Sequence, residues 1–267
     1  SACLVGSEMC IRDRCMPVYE FDEIIPNPAY QESLKLRDNG QAAYFEEPAW
    51  KQRINYWGFG DGETYYMAPK AAYAKDPQHA DRELKLLIRQ LHKNGIEIIL
   101  QMYFSPRYTQ GYIREVLRYW VSCYHVDGFH LMGEGVPAQM LAGDPALSGT
   151  KLWHYSFDTE QLYDPAVKPE YRNLAEYRDD YLYTMRRFLK GDDNMLSGVL
   201  YEMRHIPANM GRIHYLSNYY GLTLMDMVSY DHKHNEANGE GNRDGNDYNC
   251  SWNCGEEGPS RRKKVQA

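Results

Sequence analysis

Two short apolar runs, each following an amphipathic helical pattern, constrain this chain most. The first is IEIILQMYF, from Ile96 to Phe104, and the second runs from Val126 to Leu131. Before the first, Leu84, Leu87, Ile88 and Leu91 recur at the i, i+3, i+4, i+7 spacing of a helix face. That helix is predicted to open at Asp76-Pro77 and to stop at Gly95. Before the second, Ile113, Val116, Leu117, Trp120 and Val121 share one helical face. A near-continuous apolar strand is one buried on both faces, as in a parallel sheet covered by helices. The alternation therefore predicts a parallel α/β architecture, either a barrel or a doubly wound sheet.

The remaining elements are predicted more loosely. Met16 to Phe21 and Thr150 to Tyr155 read as strands, as does Ile213 to Leu216. Val136 to Leu141 reads as a short helix and Leu174 to Leu189 as a longer one. Asn55 to Pro69, rich in glycine and aromatic residues, reads as a loop that packs rings near a site. The first residues, SACLVGSEMCIRDR, carry neither period. SEMCIRDR resembles translated sequencing-adaptor DNA, so residues 1 to 14 are set aside as a non-native leader. Residues 15 to 267 then form the barrel, expected to be truncated at both ends.

Composition narrows function mainly by exclusion. With 267 residues, 43% hydrophobic and 25% charged, the chain can bury a core. A net charge of −7 argues against nucleic acid or an anionic membrane as the main partner. No apolar run reaches the roughly 18 residues of a membrane span. The 24 tyrosines and 5 tryptophans fit ordinary core and rim packing, or a carbohydrate site where rings stack on sugar faces. Six scattered cysteines do not make a disulfide scaffold. Cys250 and Cys254, spaced CxxxC without a second pair, read as free thiols. No metal and no cofactor is expected. The i, i+2 spacing of His232 and His234, near His214, could by itself share a metal. Asn238 to Asn249 reads as a hydrogen-bonded turn outside the calcium-loop register.

Four stretches in order carry a resemblance: NYWGFG at 55–60, LHKNGIEIIL at 91–100, YHVDGFH at 124–130 and KHNEANGEGNRDG at 233–245. Together they resemble glycoside hydrolase family 13, the α-amylase family, and within it the glycogen-debranching, isoamylase and pullulanase-like branch. The resemblance implies a (β/α)₈ TIM barrel acting on α-glucans by the retaining route. That route needs two carboxyl groups about 5 Å apart. It also implies that Tyr56, Trp57, Phe59 and His130 contact sugar, although loop packing would equally explain the three aromatic residues. For His232 and His234 it implies loop scaffold instead of metal ligands.

The same resemblance shows what has been replaced. Gln101 stands where the first motif has Asp, and Pro106 where it has His. In GFHLM, His130 replaces the orienting Arg and Met132 the nucleophilic Asp. In TKLWHYSFD, Tyr155 aligns with the acid/base Glu, and Tyr220 stands for the third carboxylate. No catalytic position is intact. A thioether forms no glycosyl ester, and a phenol with a pKa near 10 is a poor acid/base for this step. The expectation is a catalytically inactive debranching-enzyme relative, a pseudoenzyme that binds glycogen- or starch-like glucan or regulates an active homologue. Two alternatives remain open at this point: an α-1,6-glucan hydrolase using relocated carboxylates such as Glu134 or Asp158, and an interaction protein that has lost sugar binding. A cytoplasmic location is implied by the resemblance alone.

Overall fold

The computed structural model describes residues 12–39, 51–55, 58, 62–163, 173–205, 209–218, 221–238, 242 and 245–266. Its strands are β1 (Arg12–Cys15), β2 (Tyr19–Phe21), β3 (Ile24–Pro26), β4 (Gln52–Ile54), β5 (Thr64–Pro69), β6 (Glu97–Tyr103), β7 (Gly128–Met132), β8 (Lys151–His154), β9 (Leu174–Tyr177) and β10 (Gly211–Ile213). The α-helices are α1 (Pro28–Asp38), α2 (Ala80–Lys93), α3 (Gln110–Tyr124), α4 (Ala138–Ala142), α5 (Asp180–Lys190), α6 (Leu196–Arg204), α7 (Leu224–Met227) and α8 (Lys263–Gln266). The chain divides into two compact units. One comprises residues 1–25, 54–178 and 207–213, and the other 26–53, 179–206 and 214–267.

The first unit is built on a six-stranded sheet in the order β1-β6-β7-β8-β9-β10, and each neighbouring pair is parallel. Strand alternation sends Ile98, Leu100, Met102 and Phe104 to one face, with Phe129, Leu131, Leu152 and Leu174. There they join one buried cluster with Ile88 of α2 and with Ile113, Val116, Leu117, Trp120 and Tyr124 of α3. Trp120 is fully buried, and its indole N–H donates to the Tyr66 carbonyl at 2.7 Å. The opposite face carries Ile99, Gln101 and Tyr103 on β6, His130 and Met132 on β7, and Trp153 on β8.

Glycines set how closely β6 and β7 approach. A Cβ on Gly128 would lie 2.5 Å from the Lys151 carbonyl oxygen, on Gly133 2.3 Å from the Phe104 oxygen, and on Gly135 2.3 Å from the Ser105 oxygen. Gly133 also holds φ at +94°, a region that L side chains rarely adopt. The pairing thus runs past the strand end: Phe104 N–H donates to the Met132 carbonyl at 2.8 Å, and Gly135 N–H to the Phe104 carbonyl at 3.0 Å. At the other end, the Asp127 carboxylate accepts the Ile98 N–H and a His92 ring N–H, both at 2.8 Å.

Strands β2 and β5 form a separate antiparallel pair. It is fastened by Lys70, 3% exposed, whose ammonium meets Glu20 at 2.9 Å and Glu23 at 3.2 Å. Burial pushes the Glu20 carboxyl up, but the Ala71 N–H and Lys70 outweigh it, so its pKa falls below the ordinary value.

In the second unit, Arg186 of α5 is buried and donates to the carbonyls of Leu216 at 2.8 Å and Asn249 at 2.9 Å. The stretch after α7 is organised by Glu257. Its carboxylate accepts the N–H groups of Asp231 and His232, a His234 ring N–H and an Asn253 amide N–H. His214, by contrast, stacks on Tyr181 at 4.1 Å.

Three sequence expectations need correction. Leu174 to Leu189 is not one helix: Leu174–Tyr177 is strand β9, and the helix begins at Asp180. Pairing with β8 overrides local helical propensity there, and Asn173 anchors the strand start by donating to the carbonyls of Leu147 and Thr150. Asp76-Pro77 opens a 3₁₀ turn, with α2 starting only at Ala80. The last part of the predicted aromatic loop, Thr64–Pro69, forms strand β5, because it pairs with β2. In addition, Arg12–Cys15 pairs with β6, so an ordered strand crosses the boundary drawn at residue 14. The other predicted strands and the short helix Ala138–Ala142 lie within a few residues of their predicted positions, whereas β3, α1 and β4 form where no element is predicted.

Two measurements check this account. Gly135→Ala forces a Cβ against backbone and should cost more than about 1 kcal/mol, read as a lower urea midpoint with unchanged slope. Hydrogen bonds to the charged carboxylate, led by the Asp231 N–H, bring the Glu257 pKa from 4.5 down to about 2. Its contribution is therefore present above pH 4.5 and lost as pH falls toward 2. Glu257→Gln should speed amide exchange at Asp231 and His232 at about pH 6 and remove that acid dependence locally.

Candidate functional site

In a parallel α/β barrel, chemistry belongs at the carboxyl ends of the strands. Register assigns the side chains there to levels. Gln101, His130, Trp153 and Ala175 lie opposite one another across β6 to β9. Two residues further on come Tyr103 and Met132, which pair directly, then Tyr155 just past β8, and Tyr177 at the end of β9. This outer level contains a thioether and three phenols. Among the described side chains of the six strands, the acids are Glu97 and Glu176. Glu97 pairs with Lys151 at the strand beginnings. Glu176, 6% exposed, projects to the helix-covered face by alternation and pairs with Arg212 at 3.0 Å.

The contacts around Met132 are those of an uncharged site. The Gln101 side-chain amide lies against the Met132 sulfur. His130 is 3% exposed and lies against the Tyr177 ring, centroids 4.1 Å apart, with Trp153 at 6.4 Å. Its Nδ1 has no hydrogen-bond partner among the described residues. Burial, then the charge of Arg14, then His154, bring the His130 pKa from 6.5 down to about 3, so the ring is neutral. Arg14 lies over the Tyr177 ring at 5.1 Å and donates to its hydroxyl. His154, on the other face, donates from Nδ1 to the Leu131 carbonyl at 3.0 Å, and burial lowers its pKa.

The structure brings together three of the residues singled out from sequence: His130, Met132 and Gln101. Tyr155 follows at the outer level, 60% exposed, with the Arg178 guanidinium 4.8 Å above its ring. Tyr56, Trp57, Phe59 and Tyr220 lie outside the described residues. Their neighbour Gly58, at φ +64°, packs so tightly that a Cβ would meet the Phe21 ring at 2.7 Å. Glu134 and Asp158, the candidate relocated carboxylates, are exposed. Asp158 accepts from the Gln161 amide at 2.5 Å, and its backbone is tied to Gln139. Sequence reasoning missed Tyr103, Trp153, Tyr177, Arg14 and Arg178. Alternation along β6 and β8 could have given Tyr103 and Trp153. Tyr177 was hidden by the helical reading of its strand.

Comparison with known proteins agrees with this architecture. No family model matches the chain. Isoamylase 3, chloroplastic, from Oryza sativa subsp. japonica is 29% identical over 94% of the chain and 39% of its own length. Isoamylase 1, chloroplastic, from Arabidopsis thaliana is 27% identical over 91% of the chain and 40% of its own length. The glycogen operon protein GlgX homolog of Mycobacterium bovis is 30% identical over 77% of the chain and 38% of its own length. Among solved structures, the pullulanase from Paenibacillus barengoltzii in complex with maltohexaose and alpha-cyclodextrin superposes with a TM-score of 0.54. It is 16% identical and covers 82% of this chain and 42% of that one. The fold is thus that of the pullulanase-type α/β barrel, of which the described strands form an open parallel part. In sequence the chain is similar to the isoamylases and GlgX proteins, and in fold to the pullulanases. It spans about two fifths of the length of these relatives.

The neutral His130 gives a signed pH prediction. Between pH 6.5 and 3 the unfolded chain binds a proton at this residue that the folded chain does not. Stability therefore falls as pH drops through that window. His130→Phe, which keeps an aromatic ring beside Tyr177, should flatten the decline in melting temperature between about pH 7 and pH 4; an unchanged decline contradicts the assignment.

Proposed function

We propose that this chain is a debranching-enzyme-like protein of α-glucan metabolism that binds glucan without cleaving it, acting through binding or through regulation of an active homologue. The observation that carries the reading is the outer level Tyr103, Met132, Tyr155 and Tyr177, which holds no carboxylate. Retaining hydrolysis needs a carboxylate nucleophile and a carboxyl acid about 5 Å apart, around a transition state that carries positive charge on the sugar. Met132 and Tyr155 supply neither group. The cation near this level, Arg178 on Tyr155, opposes a positive transition state rather than stabilising it.

Glucan as the ligand is supported by what the relatives are named for and by the maltohexaose and alpha-cyclodextrin complex of the pullulanase neighbour. The aromatic lining suits it, since sugar rings present apolar C–H faces to π-systems. Nucleic acid is disfavoured by the net charge of −7. No helix among the described residues is long and apolar enough to cross a membrane. A cytoplasmic setting belongs to the same proposal, although the two plant relatives are named chloroplastic.

Native electrophoresis of the full-length protein through a glycogen-containing gel tests the reading. Migration should be retarded relative to a glucan-free gel, with no reducing ends released. Unretarded migration would leave an interaction protein without sugar binding. Release of reducing ends that Glu134→Gln or Asp158→Asn abolishes would establish relocated carboxylates instead.

A further inference from the structure

Tyr155 occupies the position that aligns with the acid/base carboxylate, yet its surroundings are those of a binding surface. Its side chain is large, aromatic and 60% exposed, so core packing does not account for it. It follows β8 directly, two residues beyond Trp153, whose register partner is His130. The Arg178 guanidinium lies 4.8 Å from its ring centroid. That cation–π contact covers one face and restrains the ring before any ligand arrives. A ring already held in place loses little conformational entropy on binding, and this is what a stacking platform requires.

We infer that Tyr155, held by Arg178, is the stacking platform for one glucose ring of an α-glucan at the outer level of the sheet. The inference rests on the glucan-binding reading above and adds a specific role to it. The replacement at this position then exchanges a proton donor for a contact surface. The π-face receives the apolar C–H side of the sugar, and the phenol hydroxyl plays no part in the affinity.

Titration calorimetry with maltohexaose, on the full chain and two variants, tests this. The parent protein should bind; Tyr155→Phe, which keeps the ring, should bind within about twofold, and Tyr155→Ala should bind about tenfold more weakly. An independent readout avoids any dependence on how Tyr155→Ala folds: in the parent protein, maltohexaose should protect Tyr155 from tyrosine-selective labelling. Binding by the parent that leaves Tyr155 unprotected, or that survives in a folded Tyr155→Ala variant, overturns the platform while leaving glucan binding standing. A parent that does not bind maltohexaose overturns both.

Discussion

The parallel pairing of β6 with β7 is the constraint on which the site depends. It is set by backbone approach that only glycine permits. Gly128 lets β7 lie between Ile99 and Lys151, and Gly133 and Gly135 bring the following loop against the carbonyls of Phe104 and Ser105. A side chain at any of these positions would push the strands apart. With the strands this close, register follows, and Met132 stands opposite Tyr103. The apolar face of the same strands is then committed to α2 and α3, and the opposite face carries what remains for function.

From that register the chemistry of the site is a matter of which side chains share a level. The deeper level holds an amide, a neutral imidazole and an indole, and the outer level a thioether and phenols. The buried acid of β9, Glu176, is turned to the other face and neutralised by Arg212. A buried charge pair of this kind is costly to break. The glycines and apolar strands hold the parallel sheet, while the outer level presents a thioether and phenols.

Much of the fold was legible in the sequence because helical and strand periods were strong at 84–131. Ile88, Val116 and Trp120 were assigned to buried faces and are buried. Strand β9 was not legible. LAEY precedes a genuine helix, and the two run together as a single helical pattern, so only pairing with β8 distinguishes them. Helix α6 went unpredicted for a related reason: Leu200, Tyr201 and Met203 are exposed, so its apolar residues mark no single buried stripe. Of the site, Gln101, His130 and Met132 could be singled out from flanking motifs. Their neighbours Tyr177, Arg14 and Arg178 come from distant segments, and only register and tertiary packing bring them near.

The central proposal is that this outer level offers no route to glycosidic cleavage. It is tested most directly by the mass spectrum of a branched α-glucan oligosaccharide held with the full-length protein through a prolonged incubation. The account predicts one species of unchanged mass. Products shorter by whole hexose units, absent from a control without protein, would contradict it.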